Sequence, residues 1–326
     1  MTDLKSRILH RVKDDLAVIE SELHRQLTPY LDLVSEVAGH LLFSGGKRLR
    51  PLLHVLSARL CNYEGTYGVT FSVSLEYLHA ATLLHDDLID EASLRRGKPV
   101  AHAVYGNAVT VLTGDFLLAR ALSLAAGTGN IDVIKVVSGI TEDMSQGEIH
   151  QLSRKGDISL TEEEYNEVIR RKTAVLFRAC CQTGALMAGV DTERCRALAA
   201  YGLHLGLGFQ MADDLIDYVS DTATLGKAVG ADLREGKLTL PIIAALRNAP
   251  SADRGRMEGI IKSNGFSSEA FETLKALLID YGGIQYTRDK AAEHIRTARD
   301  ALAVFEPSET RSVLMDIADY ALVRNA

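Results

Sequence analysis

The pentapeptide Asp-Asp-Leu-Ile-Asp stands twice in this chain, at 86–90 and again at 213–217, each time inside strongly apolar, helix-forming sequence. Three carboxylates in such a setting are costly to bury unpaired. On a helix, positions i and i+4 share a face, so Asp86 pairs with Asp90 and Asp213 with Asp217. Like charges at that spacing repel, and a cation between them removes the repulsion. Magnesium fits best, because it is a hard divalent ion that takes oxygen ligands and keeps positions open for substrate phosphates. Two such clusters facing each other would cage a diphosphate.

Around these clusters nearly every segment reads as helix. Apolar residues recur at three- and four-residue spacing in 7–27, 31–43, 71–90, 108–126 and 131–152, then in 162–188, 194–219, 238–247, 269–281 and 287–304. Sustained β-branched alternation is absent. Pro29 and Pro51 fall where a first helical turn tolerates proline, and Thr161 with Glu164 forms a capping box ahead of the 162–188 helix. Gly45-Gly46, Gly97 and the 226–236 region mark loops. Length alone would allow two domains, but no linker interrupts the pattern. The expectation is an all-α fold: one large helical bundle of ten or more helices around a central cavity, spanning 1–326.

The net charge of −7 without a polybasic tail argues against nucleic acid as a partner. Cys61, Cys180, Cys181 and Cys195 have neither metal nor redox spacing and read as free thiols of a reducing compartment. The N-terminus lacks a signal-peptide pattern, and the best candidate for a membrane span, 174–190, is broken by Arg178 and Gln182. A soluble, cytoplasmic protein without a transmembrane segment is expected.

Cations accompany the carboxylates. Arg95 and Arg96 follow the first cluster, and Gly45-Gly46-Lys47-Arg48-Leu49-Arg50-Pro51 brings three cations on a loop that feeds a helix, an anion-binding corner. Lys172-Thr173 adds a cation with a hydroxyl. Gln210 precedes the second cluster, and Gly226-Lys227 and Lys237 follow it. Six carboxylates and several separate cations suit two anionic substrates, one held through metal and one directly by Lys and Arg.

In this order, the motifs resemble those of the trans-polyprenyl diphosphate synthases, the head-to-tail isoprenoid chain elongases. The resemblance covers Gly45 to Pro241 and is closest to the octaprenyl type. It implies magnesium, three ions per site, held by Asp86, Asp90 and Asp213 with Asp87, Asp214 and Asp217 in support. It implies that Arg95, Lys172, Gln210 and Lys227 contact the allylic diphosphate, with Lys237 nearby. Lys47, Arg50, His79 and Arg96 would hold isopentenyl diphosphate, and Thr173 would stabilise the carbocation. A homodimer is implied as well, with helix 108–126 apolar enough to contribute, and the product would be delivered to the membrane.

The positions four and five residues before Asp86, Thr82 and Ala81, are small, whereas bulky aromatics stop the chain there in short-product members. A medium or long all-trans product is therefore expected, with a short-chain synthase as the alternative. A class I terpene cyclase would carry a different second motif, a non-catalytic subunit would have lost an aspartate cluster, and a phosphohydrolase leaves the second cluster unexplained. On one helical face, Glu148 and Gln151 are candidates for the water shell of the metal.

Overall fold

The computed structural model describes residues 2–219, 230–263 and 265–323. More than ten α-helices are among them, with a π-helical turn at Arg170–Ala174, a 3-10 turn at Leu302–Val304 and a hairpin of two-residue strands, Leu94–Arg95 and Lys98–Pro99. The chain forms two compact units. One comprises Met1–Thr141, Leu176–Gly202 and Ala301–Ile317, and the other Glu142–Val175, Leu203–Asp300 and Ala318–Ala326.

The first unit is organised by the helix Gly68–Ile89. Phe71, Val73, Leu75, Tyr77, Leu78, Ala80, Ala81 and Leu84 are all buried, so the helix is apolar on nearly every side. It packs against Asn107–Ala126, Leu49–Leu60 and Lys13–Gln26, and the Tyr77 hydroxyl donates to the Leu23 carbonyl at 2.6 Å. The first aspartate cluster lies at the C-terminal end of this helix, where Ile89 is exposed and Asp86 and Asp90 are half-buried. Close helix contacts rely on missing side chains: a Cβ on Gly184 would meet the Ala58 nitrogen at 2.7 Å, and one on Gly202 the Phe177 carbonyl oxygen at 2.4 Å.

The second unit has two apolar clusters. Tyr218, Ile242, Met257, Phe271 and Leu274 centre one, while Tyr165, Ile169, Met211 and Leu240 belong to the other. The capping box of Thr161 and Glu164 is present in both directions and opens the helix Glu162–Ile169.

Some expectations change. The 7–27 segment is two helices, Thr2–Arg11 and Lys13–Gln26, with Val12 buried at the junction. Pro29 lies in the connector before Asp32–Leu42, whereas Pro51 does stand in a first turn. The 162–188 segment is not continuous α-helix, because Arg170–Ala174 is a π-helical turn. The described helix long and apolar enough to cross a membrane by length and composition is Asn107–Ala126, not 174–190. Of its apolar stripe, Leu117 and Ala121 are buried but Leu112 is 65% exposed.

His54, fully buried between Phe71 and Thr183, is pushed down to about 3 by desolvation. Its folded value lies below the ordinary 6.5, so the unfolded chain binds the extra proton. The stabilisation is complete above about pH 6.5 and is lost as pH falls toward about 3, at about 1.4 kcal/mol per pH unit for one proton. Urea unfolding at pH 7, 6 and 5 should therefore give a pH slope smaller by about one proton in His54→Gln than in the wild type. Equal slopes would mean that His54 titrates normally in the fold.

Candidate active site

In the first unit, Asp86 and Asp90 are half-buried at the end of Gly68–Ile89, where Asp90 is the C-cap. Two like charges there also face the negative end of the helix dipole, so both terms favour a bound cation. Asp87 is different. It is 5% exposed and turned onto Arg95, whose Nε and Nη2 donate to it at 2.6–2.9 Å. The hairpin makes this grip: Arg95 pairs with Lys98 across a turn in which Arg96 and Gly97 have φ of +52° and +75°. His40 ties the hairpin down by a hydrogen bond to the Pro99 carbonyl at 2.7 Å.

The same unit gathers cations around His79. Burial pushes the imidazole well below its ordinary value, and the guanidinium groups of Arg50, Arg95 and Arg96 push it further. A histidine beside three guanidiniums makes a locally positive corner. Arg96 and Lys47 are exposed, and Arg50 lies over the Phe177 ring at 5.1 Å. Arg48 does not join them. Held at φ +47° and 7% exposed, it donates to Glu20 at 2.7 and 3.0 Å, to Glu76 at 3.1 Å and to the Leu42 carbonyl at 2.6 Å. It anchors the loop from inside, and nothing in the sequence distinguishes it from Arg50. Ala81 is buried, and the half-buried Thr82 donates its hydroxyl to the His79 carbonyl at 2.8 Å.

In the second unit, five of the expected residues, Lys172, Thr173, Gln210, Asp214 and Lys237, line one cavity of about 160 Å³. The π-turn presents two of them. Its extra residue re-aims Lys172 and Thr173 relative to a regular helix, as π-bulges at functional sites do. The helix Ile131–Ser153 supports the turn closely, since a Cβ on Gly147 would meet the Lys172 nitrogen and the Arg171 Cβ at 2.8 Å each. Arg171 is held by Asp143 at 2.8 Å and Glu167 at 2.5 Å, Lys172 pairs with Glu148, and Lys237 pairs with Glu235 at 2.6 Å. Gln151 reaches the cavity wall.

The second cluster is not a copy of the first in its surroundings. Asp213 is half-buried. Asp214 is 3% exposed and accepts the Tyr165 hydroxyl at 2.6 Å and the Gln210 amide at 2.8 Å. Desolvation first, then nearby Asp232, raises it to about 7. Asp217, 1% exposed, accepts the backbone N–H groups of Ala231 and Asp232 at 3.2 and 3.0 Å, which caps the short helix Ala231–Arg234. Tyr165 is the participant that the sequence reading missed, since a tyrosine on an apolar helix face looks like core. Lys227 lies outside the described residues.

Among the described residues, no three Asp, Glu, His or Cys side chains converge into a ready metal cage. The half-exposed oxygen donors Asp86, Asp90 and Asp213 suit an ion that completes its shell with water and phosphate oxygens, the habit of magnesium.

A helical fold with two aspartate clusters, a guanidinium cluster and a Lys-Thr-Gln cavity defines a class of isoprenoid diphosphate enzymes, and comparison with known proteins agrees. A sequence model of the polyprenyl synthetase family matches residues 31–278. Octaprenyl diphosphate synthase of Escherichia coli is 37% identical over 95% of this chain and 96% of its own. The geranyl-diphosphate-specific all-trans-nonaprenyl-diphosphate synthase of Rhodobacter capsulatus is 36% identical over 99% and 98%. The crystal structure of a Caulobacter crescentus polyprenyl synthase, complexed with calcium and isoprenyl diphosphate, superposes with a TM-score of 0.92 at 38% identity, covering 98% of both chains. The chain belongs to the polyprenyl synthetase family. It is a polyprenyl diphosphate synthase, a prenyltransferase that joins isoprenoid diphosphates head to tail.

The Lys172 nitrogen and Arg171 carbonyl carbon that an added Cβ on Gly147 would meet are backbone atoms, so a rotamer change cannot relieve the clash. Gly147→Ala should lower stability by about 1–3 kcal/mol and reduce kcat/KM for the allylic substrate at least about tenfold, because Lys172 moves. Gly139→Ala, on the same helix with open space around it, should do neither. Thermal melts and steady-state kinetics of the two variants check this, and a silent Gly147→Ala would refute the support role.

Proposed function

We propose that residues 1–326 act as one synthase domain that extends an allylic diphosphate with isopentenyl diphosphate to a medium or long all-trans polyprenyl diphosphate of the octaprenyl type. The observation that carries this reading is that Lys172, Thr173, Gln210, Asp214 and Lys237 line one cavity together. Asp86, Asp90 and Asp213 are assigned as magnesium ligands, with Asp87, Asp214 and Asp217 holding the surrounding structure. Magnesium, when bound, neutralises the leaving diphosphate and so favours ionisation of the allylic C–O bond.

The chain's own groups do the rest. Lys172, Arg95, Lys227 and Lys237 bind the allylic diphosphate, and Thr173, its hydroxyl held by Gln210, turns oxygen toward the allylic carbon as positive charge develops there. Lys47, Arg50, His79 and Arg96 hold isopentenyl diphosphate so that its double bond can attack. The released diphosphate, held beside the new bond, takes the proton. Small side chains at 81 and 82 leave a path for the tail, in keeping with octaprenyl and nonaprenyl relatives. A homodimer through the exposed Val111, Leu112 and Leu122 of Asn107–Ala126 is part of the proposal, as are a cytoplasmic location and delivery of the product to the membrane. Incubation with labelled isopentenyl diphosphate, an allylic primer and magnesium, followed by mass spectrometry of the extracted lipid, tests the reading. A failure to form prenyl diphosphate would overturn it.

Asp86→Ala and Asp213→Ala should each lower turnover at least about a hundredfold, about 3 kcal/mol of transition-state stabilisation. EDTA should abolish activity and added magnesium restore it; full activity in the chelator sinks the metal assignment.

A prenyl tail gains about 0.8 kcal/mol per buried methylene, so it follows any open apolar channel until a side chain blocks it. Ala81→Phe should shift the product to a short prenyl diphosphate while the first condensation survives. Reverse-phase separation of dephosphorylated products reads the outcome, and an unchanged long product would place the tail elsewhere.

A further inference from the structure

Along one wall of the cavity in the second unit, the hydrogen bonds have a fixed direction. Asp214 is buried and both of its oxygens are engaged: Oδ2 accepts the Tyr165 hydroxyl at 2.6 Å, and Oδ1 accepts the Gln210 Nε2 amide at 2.8 Å. With Oδ2 occupied by the tyrosine, Asp214 in its ionised form offers acceptors only and selects the NH₂ end of Gln210. The amide oxygen is thereby left for Thr173, whose hydroxyl donates to it at 2.9 Å. Thr173 has one proton, and that proton is committed to Gln210. Only lone pairs of its Oγ1 remain for the cavity that it lines.

We infer that Tyr165 is a positioning residue for prenyl transfer: through Asp214 and Gln210 it sets the polarity of Thr173, so that lone pairs rather than a proton meet the allylic cation. This rests on the reading of the cavity as the allylic diphosphate site. An amide is nearly symmetric in shape, and without an anchored acceptor it can turn over and present NH₂ to Thr173. The threonine would then accept, its proton would swing toward the substrate, and the positive end of the hydroxyl would oppose developing positive charge. Tyr165 suits the anchor role because its ring is clamped in the apolar cluster with Ile169, Met211 and Leu240. The hydroxyl is therefore aimed by packing and not by a flexible stem. The arrangement is oriented before the reaction, so no dipole has to reorganise as charge forms.

The test separates cation recognition from diphosphate recognition. A non-reactive tertiary-ammonium mimic of the allylic cation is titrated by calorimetry into enzyme saturated with inorganic pyrophosphate and magnesium, and pyrophosphate is titrated alone. In Tyr165→Phe, which keeps the ring and its packing, the mimic should bind about tenfold more weakly while pyrophosphate affinity changes less than about twofold. In the same variant, kcat should fall about tenfold with the primer KM nearly unchanged. Tyr218→Phe removes another buried hydroxyl, one paired with Thr239 at 2.9 Å, and should leave the mimic affinity as in the wild type. Gln210→Met removes the acceptor of Thr173 directly and should give the same selective loss, with no further loss when Tyr165→Phe is added. It also carries the test if Tyr165→Phe does not fold. Unchanged mimic binding in Tyr165→Phe, an equal loss for mimic and pyrophosphate, or additive losses in the double variant would overturn the inference. A wild-type enzyme that binds neither probe would instead overturn the reading of the cavity.

Discussion

A carboxylate inside an apolar helix bundle must find donors or a cation, and much of this molecule is arranged around meeting that demand. Asp87 receives the fork of Arg95, Asp214 receives a tyrosine and a glutamine, and Asp217 receives two backbone amides. Each solution holds something else in place: the hairpin carrying Arg96, the amide of Gln210, and the start of the helix Ala231–Arg234. A buried charge left without its partners is strongly destabilising, so these contacts position their neighbours as firmly as core packing does.

The carboxylates that remain half-exposed are Asp86, Asp90 and Asp213. Work in these clusters is thus divided by burial. Oxygens with a water-facing side can be reached by a cation and substrate, and buried ones supply the frame. The cations divide in the same way. Arg48 is locked between Glu20 and Glu76, whereas Arg50, Arg95 and Arg96 leave His79 in a strongly positive field. One group of like residues contains both structural and substrate-facing members, and only their neighbours separate them.

The π-turn at Arg170–Ala174 illustrates how local irregularity serves the chemistry. A regular helix repeats its side chains every 3.6 residues, and one extra residue in a turn rotates the side chains beyond it to a new direction. Lys172 and Thr173 reach the cavity by that means, with Gly147 vacating the space that the wider turn needs. Glu148, the next residue on the supporting helix, meets the Lys172 ammonium.

The sequence by itself determined the helical class, the capping box at Thr161, the chemical types at the site and the family, because periodicity, caps and ordered motifs are local properties of the chain. The five cavity residues were also legible, through their resemblance to known motifs. The π-turn, the hairpin beneath Arg96 and the break at Val12 were not, since each depends on what packs against it. The two pentapeptides make the point most directly. With identical letters, Asp90 caps a helix and stays half-exposed, while Asp217 is buried against the amides of residues 231 and 232. Burial belongs to the partner surface, and that surface is assembled from segments distant in the chain. Tertiary structure alone therefore decided which aspartates face solvent, and gave Tyr165 a hydroxyl partner that its apolar surroundings in the sequence conceal.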